Sequence, residues 1–137
     1  MSIDTPVTRL ALTTKTLGHP ARLRILAMLR HNKLSVCQIA SVLNVAPSTA
    51  SGYLTELRRA DLVTERREGK WVYYRLSDED PGAALLRFVL VLVASDPQVG
   101  QDAEIARRLN GTSPDIVCAN GSVDGHAPDS SAPGAWS

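Results

Sequence analysis

The chain has 137 residues, of which 44% are hydrophobic and 4% aromatic, so we expect a single domain with an aliphatic core. Residues 1–75 carry twelve Lys or Arg against five Asp or Glu (+7), and residues 76–137 carry three against nine (−6), which together give the net charge of +1. This division excludes a uniformly acidic or basic protein, and the basic first half favours contact with a polyanion.

No segment has the pattern of a signal peptide or a membrane span. The first ten residues, MSIDTPVTRL, lack a long apolar run, and the longest apolar stretch, from Phe88 to Ala94, is too short to cross a bilayer. We therefore expect a cytoplasmic protein without a membrane partner. In that compartment the two cysteines, Cys37 and Cys118, are expected to be reduced thiols.

Helix-start residues and apolar spacing predict four helices in the first 60 residues. Thr5 is a suitable N-cap, Pro6 suits the first helical position and Gly18 ends the helix. Ser35 is a suitable N-cap for a short third helix, and Pro47 opens a fourth. The second helix has little polar surface and is expected at the centre of the core. The four predicted helices cover residues 5–16, a segment from about residue 20 to 30, residues 36–44 and residues 47 to about 60.

The pattern then changes from helical to alternating. Residues 62–67 and 71–76 predict two strands, and residues 68–70 predict the turn between them, where Gly69 supplies a permissive backbone. A two-stranded hairpin is marginal by itself, so this one must pack on the helices.

The rest of the chain predicts two helices and a tail. A helix from about residue 81 to 95, capped by Ser77 or Asp78, is apolar almost all round, which requires burial inside its own domain or in a homodimer seam. A further helix is predicted over residues 97–109. After Gly111 the chain is rich in Gly, Ser, Asp, Pro and Ala, and this composition predicts disorder.

The order of short helix, tight turn, second helix and hairpin is that of a winged helix-turn-helix. In such a unit the second helix enters the DNA major groove and the hairpin reaches the neighbouring backbone. The fold class is therefore predicted as mainly α with a two-stranded β-hairpin, and homodimeric. The domain organisation is predicted as a DNA-binding and dimerisation domain over residues 1–96, an additional helix over 97–110 and a disordered tail over 111–137.

The predicted DNA contacts are short polar groups on the fourth helix and cations on the hairpin. Hydroxyls close to a helix N-terminus suit phosphate or base edges, and cations near a hairpin tip suit phosphate. Taken one at a time, these features also fit an ordinary polar helix face and a solvated loop, but their joint order indicates DNA binding. The candidates are Ser48, Thr49, Ser51, Gly52 and Thr55 on the helix, and Arg66, Arg67 and Lys70 on the hairpin.

Residues 17–76 resemble the ArsR/SmtB family of metal- and metalloid-responsive repressors. The resemblance covers nearly half of the chain, in the expected order. It is carried by LGHPARLRIL at residues 17–26, STAS at 48–51, LRRADLV at 57–63 and REGKWVYYRL at 67–76.

The resemblance implies a dimer joined through its first and last helices and bound to an inverted-repeat operator, from which an inducer releases it. Family members usually carry a longer polar or basic side chain where this chain has Gly52, and often His where it has Tyr53. Tyr53 belongs to the expected buried stripe of the fourth helix and is also counted among the DNA-binding candidates. The usual Ser or Thr cap is replaced by Ala46, so the operator sequence does not follow from the resemblance.

Sensing is predicted at the cysteines. The zinc-sensing branch of the family uses His on its terminal helix, and residues 78–109 contain no His. The arsenic and soft-metal branches place Cys-x-Cys at the start of the third helix, where this chain has Ser35-Val36-Cys37. Cys37 is expected beside the apolar stripe and partly exposed, and Cys118 in the mobile tail can approach it within one chain or across the dimer. Two thiolates suit trivalent arsenic or antimony, As(III) or Sb(III), although arsenite prefers three sulfurs.

Three other hypotheses remain open. Cys37 can be a small core residue, or Cys37 and Cys118 can form a thiol redox switch. A winged helix can also bind protein instead of DNA. A thiol enzyme is not expected, because neither cysteine has a nearby His in the sequence and no Gly-rich phosphate loop is present. A transcriptional repressor released by a thiophilic inducer, with no permanent cofactor, is therefore the predicted function.

Overall fold

The computed structural model describes the backbone of residues 5–121 and the side chains of residues 5–118. Helices and strands follow the predicted order, with one additional strand before the third helix and one additional helix near the end. The elements are α1 (Pro6–Leu17), α2 (Pro20–Met28), β1 (Leu34–Ser35), α3 (Val36–Leu43), α4 (Pro47–Arg59), β2 (Val63–Glu68), β3 (Trp71–Leu76), α5 (Gly82–Val93), α6 (Pro97–Asn110) and α7 (Pro114–Gly121).

Local capping explains where the first helices begin. The Thr5 side chain accepts from the Thr8 N–H, and the His19 side chain accepts from the Ala21 N–H at the start of α2. Ser35 forms a capping box with Gln38, in which each side chain accepts a hydrogen bond from the other residue's backbone. The predicted roles of Thr5 and Ser35 as N-caps are confirmed.

The sheet has three strands, in the order β1-β3-β2, and all neighbours are antiparallel. The hairpin pairs Val63 with Leu76 at its base and Glu68 with Trp71 at its tip. Gly69 turns the chain there with a φ of +66°, a conformation that L side chains rarely adopt. The unpredicted strand β1 pairs Leu34 with Tyr74 and so joins the hairpin to the start of α3.

The core lies between α2, α3, α4 and the inner face of the sheet, and it is aliphatic as the composition predicts. α5 and α6 complete it with Leu86, Leu90 and Ala106. The largest fully buried hydrophobic side chains are Ile25, Leu26, Met28, Leu34, Ile39, Leu54, Leu57, Leu62, Val36 and Val63.

A partly buried ion pair connects α6 to α2. Arg24 donates to both carboxylate oxygens of Asp102, at 2.8 and 3.0 Å, and Gln98 donates to the same carboxylate at 3.0 Å. Asp102 is fully buried, and its hydrogen bonds raise the pKa of Arg24 above its ordinary value. Residues 97–110, predicted as an additional helix, therefore pack into the same core as the helix-turn-helix.

Two sequence predictions fail near the ends of elements. Neither Ser77 nor Asp78 caps α5, whose N-cap is Pro81 without a side-chain hydrogen bond. The tail predicted as disordered over residues 111–137 instead begins with α7, because Ser113 accepts from the Asp115 N–H and Pro114 occupies the first helical position. Residues 122–137 of that tail lie outside the described residues.

Within residues 5–121, no single helix is long and apolar enough to span a membrane. Only α5 and α6 taken together reach the required length and composition, and they are bent by 110° at the break between them.

Candidate nucleic-acid interface and cysteine pair

The outward side of α4 carries short polar groups, which we call the hydroxyl face: Ser48, Thr49, Ser51, Gly52 and Thr55. Ser48, Thr49, Gly52 and Thr55 are exposed, and Ser51 is half-buried. The Thr55 hydroxyl donates to the Ser51 carbonyl at 3.0 Å, so it is already engaged within the helix. A Cβ built on Gly52 meets nothing within 4 Å, so folding does not require glycine there.

The opposite side of α4 is buried, as its spacing predicts. Ala50, Leu54 and Leu57 are buried, whereas Tyr53 is only half-buried. The Tyr53 ring lies 5.0 Å from the His19 ring, centroid to centroid, at the start of α2. Ala46 provides no side-chain cap, so the N-terminus of α4 carries no competing carboxylate or hydroxyl at that position.

The hairpin of β2 and β3, which we call the wing, carries four exposed cations: Arg75 on β3 and the three DNA-contact candidates. Arg66 and Arg67 lie on β2, and Lys70 lies in the turn beside Gly69. All three candidates therefore reach the solvent on one projecting element. The Lys70 Nζ lies 5.6 Å from the Trp71 ring centroid, within the range of a cation–π contact.

A second lysine, Lys33, binds the wing from outside the hairpin. Lys33 donates to both carboxylate oxygens of Glu68 at 2.7 Å, and its Nζ lies 5.2 Å from the Tyr73 ring centroid. The hydrogen bond from Lys33 lowers the pKa of Glu68 below its ordinary value. The wing is thus tied to the segment that precedes α3.

The two cysteines lie together and form a disulfide within one chain. The Cα atoms of Cys37 and Cys118 are 5.2 Å apart, although 81 residues separate them in sequence. The expectation of reduced thiols is therefore wrong for this structure. Cys37 is 5% exposed, not partly exposed as predicted, because α7 packs against α3.

The disulfide is held close to the wing by contacts that the sequence interpretation missed. The Gln38 amide donates to the carbonyls of Leu109 and Thr112, at 3.0 and 3.3 Å, and so holds the end of α6 against α3. Asp115 of α7 forms an ion pair with Lys70 of the wing, at 3.0 Å. The Ser-x-x-Gln spacing of the capping box could have identified Gln38 as a cap, but no local pattern pairs Asp115 with Lys70.

The described residues contain no group of three or more His, Cys, Asp or Glu side chains that could hold a metal ion. Cys37 and Cys118 therefore meet as a pair of sulfurs without a third protein ligand in the described part of the chain. The chemistry available to two adjacent thiols is oxidation to a disulfide or chelation of a centre that accepts two sulfurs.

Comparison with known proteins gives the wider context of this arrangement. Residues 19–65, which include α3 and α4, match the family described as bacterial regulatory protein, arsR family. The chain is 38% identical over 85 residues to a biofilm growth-associated repressor of Agrobacterium fabrum, covering 62% of this chain and 72% of the relative. It is also 38% identical over 68 residues to an arsenic resistance transcriptional regulator of Pseudomonas putida, covering 49% of this chain and 53% of that relative.

A solved structure agrees with both the fold and the family. It is the homodimeric winged helix-turn-helix DNA-binding domain of a possible ArsR-family transcriptional regulator from Mycobacterium bovis. The two are 32% identical with a TM-score of 0.58, and the match covers 69% of this chain and 91% of the other. The winged helix-turn-helix, the sequence match and the structural match lead to one conclusion: the chain belongs to the ArsR family of transcriptional regulators, which are DNA-binding proteins and not enzymes.

Proposed function

We propose that this chain is a homodimeric transcriptional repressor that leaves its operator when Cys37 and Cys118 are oxidised to a disulfide. The pairing of these two cysteines within one chain is the observation that carries the proposal. In this proposal the signal-receiving chemistry lies on α3, the helix that precedes the proposed DNA-reading helix.

DNA contact is assigned to the hydroxyl face and the wing. Ser48, Thr49 and the exposed backbone at Gly52 would meet the major groove, and the wing cations would meet phosphates beside it. Neutralising phosphates releases counterions, so affinity for DNA should fall steeply as salt concentration rises.

A second copy of the chain is assigned to the exposed apolar side of α5. Phe88, Val91 and Leu92 are each more than 60% exposed, and Val7 and Leu10 of α1 are exposed as well. Large apolar side chains concentrated on two helices mark an interaction surface. The homodimeric Mycobacterium bovis domain favours a second copy as the occupant, and a two-fold dimer suits an inverted-repeat operator.

The proposed signal chemistry balances with a peroxide as the oxidant. One thiol ionises and its thiolate attacks hydrogen peroxide, which gives a sulfenic acid and a hydroxide that takes up the thiol proton to form water. The second thiol then attacks the sulfenic sulfur, forms the S–S bond and releases a second water. The peroxide is reduced by two electrons and the two thiols are oxidised by two. No third cysteine exists in the chain to compete for the sulfenic acid.

Trivalent arsenic or antimony is a second candidate signal for the same pair. The arsenic resistance regulator of Pseudomonas putida is the observation that favours it. A methylarsenite with two hydroxyl groups would exchange both for the sulfurs of Cys37 and Cys118, releasing two waters. Arsenite itself would still need a third ligand.

The test is a DNA-binding titration with the duplex upstream of the protein's own gene. Reduced protein should bind in a salt-sensitive manner, and peroxide-treated protein should bind at least about tenfold more weakly, a change of about 1.4 kcal/mol. Cys37→Ser and Cys118→Ser should bind as the reduced wild type does and ignore peroxide. Methylarsenite, arsenite and antimonite form parallel arms.

Each alternative has its own signature in these data. Release by methylarsenite but not by peroxide would replace oxidation with chelation. A cysteine variant that still responds to every agent would refute the sensing site. Absence of salt-sensitive binding to any duplex near the gene would favour a module that binds protein.

A further inference from the structure

We propose that α7 is an internal competitor of DNA: while the disulfide holds it against α3, its Asp115 occupies Lys70, a phosphate-binding cation of the wing. This inference rests on the proposed function, since it states how oxidation of the cysteine pair would lower DNA affinity. Its basis is the ion pair between Lys70 and Asp115, two residues on elements that only the fold brings together.

The described side chains of α7 provide little apolar anchorage, so we expect the helix to dock only weakly without the covalent bond. It has eight residues, and isolated helices shorter than about 12 residues are marginal in water. Among its described side chains only Pro114 and Val117 are buried, while Ile116 is 53% exposed. The disulfide to Cys37 is therefore the principal attachment of this helix.

The segment before α7 keeps Cys118 within reach of Cys37. The hydrogen bonds from Gln38 to the carbonyls of Leu109 and Thr112 involve no sulfur, so reduction of the cysteines removes neither donor nor acceptor. Cys118 follows Thr112 by six residues, a segment that reaches at most about 20 Å from its anchor. The Cys118 thiol therefore remains close to Cys37 after reduction, and the pair can open and close within one chain.

Whether α7 is docked on α3 determines which anion Lys70 binds. Lys70 and Asp115 side chains are 66% and 55% exposed, and an exposed ion pair of this kind is weak when its partners are free to separate. In the reduced protein a DNA phosphate can displace Asp115. In the disulfide form the carboxylate is tethered beside the ammonium and would also repel the incoming phosphate, so the wing loses one cation per subunit.

The experiment compares oxidised and reduced protein across a salt series. Each lysine–phosphate contact contributes about 0.9 to the slope of log affinity against log salt, so oxidation should make the slope of the wild-type dimer about 1.8 units shallower. At ~0.15 M salt this loss corresponds to about 30-fold in affinity. Asp115→Asn should leave reduced binding unchanged and recover most of that factor in the oxidised state.

Two further variants serve as controls. Glu104→Gln removes the same charge from an exposed position on α6, where Glu104 pairs with Arg107 of its own helix, and should behave as wild type. Lys70→Gln should bind more weakly when reduced and should show no slope change on oxidation. Thiol alkylation and mass measurement verify the disulfide in each protein.

The outcomes separate the two proposals. Equal affinity of reduced and oxidised wild type refutes the redox-responsive repressor and the competitor role together. An oxidation effect that is the same in wild type and Asp115→Asn refutes the competitor role alone. A salt slope that oxidation does not alter in the wild type also refutes it, even if affinity falls.

Discussion

Gly52→Ala should make the protein more stable and weaker in DNA binding at once. The change adds one methyl group to the exposed face of α4, where a Cβ meets nothing within 4 Å. Glycine within a helix costs about 0.5–1 kcal/mol relative to alanine, so the free energy of unfolding should rise by that amount. The melting temperature should rise by roughly 2–6 °C.

The opposite sign is expected for DNA. If the backbone at Gly52 lies against the duplex, the added methyl must push α4 out of a packed interface. Overfilling a packed site typically costs about 1–3 kcal/mol, which corresponds to roughly a 5- to 150-fold loss of affinity. Thermal unfolding followed by circular dichroism and fluorescence anisotropy with labelled operator DNA measure the two effects.

Gly100 provides the matched control. It lies on α6, is exposed, and a Cβ built there also meets nothing within 4 Å. Gly100→Ala should therefore give the same gain in stability with unchanged DNA affinity. Unchanged or tighter DNA binding by Gly52→Ala would refute a close approach of α4 to DNA at this residue.

Three further predictions concern stability and assembly. Asp102→Ala should lower the free energy of unfolding by about 1.5–3 kcal/mol in urea titrations, because it removes the charged hydrogen bonds that Asp102 accepts from Arg24. Glu104→Ala, at an exposed site, should change it by less than about 0.5 kcal/mol. Phe88→Arg should yield a folded monomer in sedimentation, with unchanged far-ultraviolet circular dichroism, because this side chain is 62% exposed; a stable dimer would move the interface elsewhere. Burial raises the pKa of Tyr74 from about 10 to about 12. The stability that protonated Tyr74 contributes is therefore complete below about pH 10 and is lost between pH 10 and 12. Tyr74→Phe should make the fall of unfolding free energy with rising pH less steep in that range, and an unchanged slope would contradict this.

Helix starts and the aliphatic core were predictable because they depend on neighbouring residues. Thr5 and Ser35 are followed by helix-compatible apolar spacing, and their capping hydrogen bonds span only three residues. The hairpin was equally predictable, since polar and apolar residues alternate on both sides of Gly69 and so place the turn there. The order of these elements was enough to predict the fold class.

The contacts around α7 were not predictable, because they join residues far apart in sequence. β1 has two residues, too few for any periodicity, and α7 lies in a segment whose overall composition indicates disorder. Asp102 and Asp115 look like ordinary exposed acids in the sequence, although one is fully buried and the other meets the wing. The proposed DNA contacts remain predictions, while the approach of Cys118 to Cys37 within one chain required the fold.

The Gln38 amide has a consequence for how the chain matures during synthesis. Its oxygen accepts from the Ser35 N–H at the start of α3, while its nitrogen donates to carbonyls that lie 71 and 74 residues further along. A ribosome synthesises the chain from its N-terminus at about 5–20 residues per second. The Gln38 side chain therefore lacks its Thr112 acceptor until several seconds after Gln38 itself is synthesised. A nascent chain that stalls before Thr112 has an incompletely bonded helix-turn-helix.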